Sequence, residues 1–198
     1  MTRHHPQAVT LVQFSCAFVA FGVLLIAALL WPETTEALNL DRTRATIWVT
    51  SALLGVALVL YPFCSLSVDV NNLSGLFWSF AWVGFLAHAY LAFFIIFGGI
   101  ADTFRQMGVP VASANFLLMI LWTLDVLLLW LVKREQAWIE ITHLVIRIFT
   151  FLVFALTLLV LRGGSARILG AVFTAAILIA VGARILVQTG TPDVVRRY

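Results

Sequence analysis

Charge is what this chain has least of. Charged residues fill 11% of its 198 positions, hydrophobic residues fill 63%, and mean hydropathy is +1.06. A water-soluble domain carries about 25% charged and about 45–50% apolar residues, so too few polar side chains remain here to cover a surface facing water. Cysteine is nearly missing as well. Cys16 and Cys64 form neither a CxxC pair nor a ligand spacing, which excludes a disulfide framework and a thiolate metal site. The net charge of +3 does not indicate a nucleic-acid partner, because the basic residues stand singly or in pairs between apolar runs rather than along one stripe. No nucleotide-binding loop, zinc-protease helix or nucleophile elbow occurs, and no catalytic residue is assigned. Internal repeats and low-complexity segments are also lacking.

What is present is a series of six apolar runs, at about 8–31, 45–66, 75–100, 111–132, 138–161 and 166–188. Each can cross a hydrocarbon core of about 30 Å at about 1.5 Å per residue. The runs are continuously apolar and do not alternate, which selects helices over a β-barrel. The expected fold is therefore all-α, a polytopic membrane helical bundle in one transmembrane domain. The first run exceeds the h-region of a signal peptide, about 7–15 residues, and reads as a retained helix. Trp31, Trp48, Trp78, Trp130 and Trp138 fall near run ends, as an interfacial belt would place them. Short connections, among them Lys133-Arg134-Glu135, favour antiparallel neighbours.

Six crossings put both termini on one side, and the lysine and arginine bias does not orient the chain. Arg3, Lys133, Arg134, Arg196 and Arg197 face Arg42, Arg44, Arg105, Arg162 and Arg167, five against five. The default is a bacterial-type cell membrane with cytoplasmic termini.

Ionisable side chains inside the runs cost about 2.5–3.5 kcal/mol each on insertion scales, so each needs a partner or a purpose. His88, Asp125, Glu140, His143, Arg147 and Arg184 are in this position. On the hairpin joined at Lys133, Asp125 lies about 12 Å deep, between His143 at about 8 Å and Arg147 at about 14 Å. An Asp125–Arg147 pair, shared with His143, is the expected arrangement. Gln136, Glu140, His143, Arg147 and Thr150 recur at helical spacing and form one polar face, with Leu144, Ile148, Phe151 and Leu152 opposite. His88, flanked on its face by Ala81, Gly84 and Ala92, is expected at the deep end of the same group. Glu140 and Arg184 read as solvated or snorkelling. The spacing Ala166-xxx-Gly170-xxx-Thr174 predicts close packing of the last helix.

His88, Asp125, His143 and Arg147 are thus the candidate ligand- or proton-binding residues. His88 and His143 stand as haem ligands only if a b-type haem is present, and their depths, about 20 Å and about 8 Å, match poorly for one iron. No cofactor is expected. His4 and His5 lack the further ligands that a metal site needs. The leading functional reading is a non-catalytic subunit or accessory component of a larger membrane complex, with the lipid bilayer and other membrane subunits, or further copies of itself, as partners. One alternative is a small-molecule, ion or proton carrier using the Asp/Arg/His group; another is a redox protein linked to haem b or quinone.

Overall fold

The computed structural model describes residues 8–30, 38–132, 136–161 and 163–189. They form seven α-helices and no strand: α1 (Leu11–Leu30), α2 (Leu38–Leu60), α3 (Val68–Tyr90), the short α4 (Ile100–Met107), α5 (Val109–Leu131), α6 (Ala137–Leu156) and α7 (Ser165–Thr189). All but α4 are long and apolar enough to cross a membrane. A helix satisfies its backbone internally, so these runs can sit in oil without exposing peptide groups. The chain is an all-α bundle of the kind built by multi-pass membrane proteins.

The helix ends carry ordinary stop and start chemistry. Ser67 caps α3, its hydroxyl accepting from the Asp69 amide at 3.2 Å. Gly98 and Gly99 hold φ of 78° and 133°, a reversal that side chains with a Cβ rarely adopt, and this ends the third span. Pro110 sits in the first turn of α5, where its missing N–H leaves no hydrogen bond unmade.

Two helices start earlier than hydropathy suggests: α2 at Leu38 rather than 45, and α3 at Val68 rather than 75. Hydropathy marks the part of a helix that lies in oil. The hydrogen-bond ladder continues past it, through residues such as Asp41, Arg42, Arg44, Asp69 and Asn71 that suit a wet end. Likewise α4 forms where only a connection was expected. It buries Thr103 and lays Phe104 flat on Phe116 of α5, with centroids 5.4 Å apart and planes 7° apart, while Asp102 pairs with Arg105 on its surface.

The core lies around α2, whose spanning window is 44% buried, against 17% for α1. Small residues set how closely the helices approach. A Cβ on Gly84 would stand 3.0 Å from Thr50 Oγ1, so α3 lies against α2 there. A Cβ on Gly170 would stand 2.7 Å from Leu158 Cβ, which gives the close packing expected of the last helix. Polar ties cross between helices: Ser74 Oγ donates to Ala57 O at 3.0 Å, Trp82 Nε1 to Thr123 Oγ1 at 3.0 Å, and Trp130 Nε1 to Ser79 Oγ at 2.8 Å. Gln13 of α1 donates to Asp69 at 2.7 Å and accepts from Asn72 at 3.2 Å.

The tryptophan expectation needs one correction. Trp48 and Trp138 are exposed and Trp130 half-buried, but Trp78 is fully buried in the core. The early start of α3 puts it ten residues into the helix, about 15 Å from its end. Trp31, the Lys133-Arg134-Glu135 turn, Arg162, Arg196, Arg197, and His4 and His5 lie outside the described residues.

Candidate functional site

The near face is the side where α1 begins and α7 ends; the far face holds the α3–α4 reversal and the Gly163–Gly164 turn. In the near half, α5 and α6 run antiparallel with Asp125 and His143 facing each other. His143 Nδ1 lies 2.6 Å from Asp125 Oδ1. The two atoms share one hydrogen, and which of them donates follows the protonation state of the pair. The Asp125 side chain is fully buried, whereas that of His143 retains 15% exposure. Asp125 Oδ2 is buried with no hydrogen-bond partner.

Arg147, one turn beyond His143, is 5% exposed and does not pair with Asp125. Its guanidinium carbon sits 3.8 Å from the Tyr61 ring centre and 4.9 Å from that of Trp78, and its Nε has no hydrogen-bond partner. The expected Asp125–Arg147 pair is thus replaced by Asp125–His143, with the guanidinium held on aromatic faces. The imidazole is the shorter reach for the carboxylate, and a desolvated cation over aromatic rings gains about 2 kcal/mol or more. The sequence reading missed Tyr61 and Trp78 as a cation platform; its signal is a tryptophan at mid-depth, away from the interface.

The polar face of α6 turns inward. Arg147 and Thr150 are buried and His143 nearly so, while Leu144, Ile148 and Leu152 are exposed; Phe151 instead stacks on Phe173 at 6.0 Å. Glu140 is half-buried near the start of α6. Arg184 does not snorkel. It is buried and donates from Nη2 to Ser65 Oγ at 2.9 Å, because the turn after α2 folds back within its reach.

His88 does not join this group. It stands 20 residues into α3, about 30 Å from the near end, and its Nδ1 donates to Thr43 O at 2.8 Å, in the second turn of α2 at the far end. Its expected depth was measured from position 75, and the earlier helix start carries it across the midplane. His88 and His143 therefore lie in opposite halves and do not face each other across one iron. Among the described residues, no group of three His, Cys, Asp or Glu is placed to hold a metal.

His88 instead lines a cavity of about 470 Å³ in the far half. The walls come from α2, from the end of α3, from the starts of α5 and α7, and from the end of α6. Leu40, Thr43, Arg44, Ile47, Trp48 and Ser51 of α2 all contribute, and their intervals of 3, 1, 3, 1 and 3 form one helical face. That spacing is the signal in the sequence for a site otherwise concealed by assigning Arg44 to a loop. The segments Leu91–Ile96 and Thr157–Leu161 continue α3 and α6 as wider π turns, and both border the cavity. Such turns recur at functional sites because they displace side chains from the regular register.

Between cavity and near-half cluster lies a layer of aromatic rings. Phe85 and Phe154 line the cavity; Trp122 packs on them at 5.6 and 6.1 Å, and on Trp78 at 4.8 Å. Trp78 and Trp122 are fully buried. Asp125 lies three residues past Trp122, about 4.5 Å farther toward the near face. From the far face inward, the cavity, the aromatic floor and the ionisable pair thus follow one another in depth. Searches of protein families, of curated proteins and of solved structures find no match to this chain.

Proposed function

We propose that the chain is a small proton-linked membrane carrier, with Asp125–His143 as its proton-binding element and the far-face cavity as its substrate site. The observation that carries this reading is the buried Asp125–His143 pair with one carboxylate oxygen unpartnered. Removing two polar side chains from water and leaving an acceptor unsatisfied costs stability, and apolar residues of similar size would serve packing as well or better. A scaffolding subunit needs no such group, so the carrier reading is preferred to the accessory-subunit reading.

The chemistry follows from the contact: a carboxyl and an imidazole 2.6 Å apart share one hydrogen, so the pair can hold a proton between them. His143 is the only member of the pair with any exposure, so protons exchange through it. Arg147 adds a fixed positive charge nearby, held on Tyr61 and Trp78.

The test is proton flux into proteoliposomes carrying a trapped pH-sensitive dye, with the membrane potential clamped by a potassium ionophore. Wild-type protein should dissipate an imposed pH step faster than protein-free vesicles, and Asp125→Asn and His143→Gln should return the rate to background. Equal rates in wild type and Asp125→Asn would overturn the proposal.

A further inference from the structure

We infer that the far-face cavity binds a single-chain anionic amphiphile, with its acidic head at Arg44 and His88 and its chain lying toward Phe85 and Phe154. The inference deepens the carrier reading by naming a substrate class. Occupancy is measured without transport, so its failure and a loss of proton flux are separate results.

Three features of the cavity specify the ligand. Size comes first: about 470 Å³ falls within the range of small-molecule sites, about 300–1,000 Å³. Polarity is the second. Arg44 stands at the rim, in the second turn of α2, and no acidic side chain lines the cavity among the described residues. Arg44 pairs with Asp41, 3.5 Å from its Nη1, in an exposed pair. Such a pair contributes about 0–1 kcal/mol, so a bound carboxylate competes with it readily. His88 stands at the level of the same turn of α2, its ring oriented by the bond from Nδ1 to Thr43 O. Asn115 supplies a neutral polar group on the opposite wall, its Nδ2 already donating to Val111 O at 3.0 Å.

Third, the remaining wall is mostly apolar, interrupted by Thr43, Ser51, Thr157 and Ser165. From Leu40 to Ser51 the lining face of α2 extends over eleven residues, about 16 Å, ending among Phe85, Leu118 and Phe154. Cation at the rim, hydrogen-bonding groups beside it and an aromatic end wall complement a head of one negative charge on a chain of medium length. A dication would find no opposite charge there among the described residues.

Trp48 lines the cavity and reports on it. In nanodiscs of phosphatidylcholine alone, 11-bromoundecanoate should quench tryptophan fluorescence with a saturable component that Trp48→Phe reduces. Arg44→Gln should weaken that component about tenfold, the loss of one charge-assisted contact, and Arg44→Lys should restore most of it. The uncharged 11-bromoundecanol should bind at least about tenfold more weakly for the same reason. Ala92→Phe, which narrows the cavity, should weaken the component. Quenching that never saturates would overturn the inference, and so would equal binding of acid and alcohol. Displacement of the acid by phosphatidylglycerol added to the nanodisc would also overturn it, by assigning the cavity to a membrane lipid.

Discussion

The two halves of this bundle are built from residues of the same kind, yet they treat polar groups in opposite ways. In the near half, side chains tie helix to helix, Gln13 with Asp69 and Asn72, Arg184 with Ser65, Asp125 with His143, and leave Asp125 Oδ2 and Arg147 Nε buried without a partner. In the far half α3 and α6 widen into π turns, glycines reverse the chain, and the space left between helices is lined by Arg44, His88 and Asn115. A membrane bundle has no hydrophobic force to draw its helices together in lipid, so packing detail and polar ties decide where it closes and where it stays open. Here the near half ties polar groups helix to helix and the far half sets them around a space, with Trp122 between them.

That contrast can be broken most severely at its boundary. Trp122→Ala removes a fully buried ring that touches Phe85, Phe154 and Trp78. It should cost about 3–5 kcal/mol of stability and join cavity to cluster. Denaturant unfolding in detergent measures the first effect, and a faster proton leak in vesicles measures the second. Next in size is Gly170→Ala, whose Cβ would meet Leu158 Cβ at 2.7 Å and Leu158 backbone carbon at 3.1 Å. Backbone cannot move aside cheaply, so a loss of about 1–3 kcal/mol is expected in the same assay. Gly84→Ala meets a rotatable hydroxyl, Thr50 Oγ1, at 3.0 Å and should cost less than Gly170→Ala.

Smaller still is Ser74→Ala, which deletes one interhelical hydrogen bond to Ala57 O and should cost about 0.6 kcal/mol, the usual worth of such a bond in a membrane. At the bottom of the scale, Arg44→Gln should change stability by less than about 0.5 kcal/mol, since its pair with Asp41 is exposed. A large stability loss at Arg44 with none at Ser74 would reverse the assignment of the two halves.

Much of this architecture is legible in the residues themselves. The six apolar runs specify the crossings, because no other structure satisfies so much backbone in oil. The four-and-three spacing on α6 identifies the face that turns inward. The pairing within that face is not legible, since Asp125 is close in depth to both His143 and Arg147, and only side-chain packing decides between them. Tyr61 settles the matter: it comes from the turn after α2, far off in sequence, and offers the guanidinium an aromatic face. The cavity is hidden for a different reason. Hydropathy ends α2 at the edge of the oil, whereas its wall begins at Leu40 in the polar stretch just before.

The account stands on Asp125 and His143 forming a proton-binding pair inside the bundle. Infrared difference spectroscopy of the reconstituted protein across a pH jump reads it directly, through the carboxyl and imidazole bands. Wild type should show both changing together, and Asp125→Asn should lose the carboxyl band and alter the imidazole one. Identical difference spectra for the two proteins would contradict the central claim.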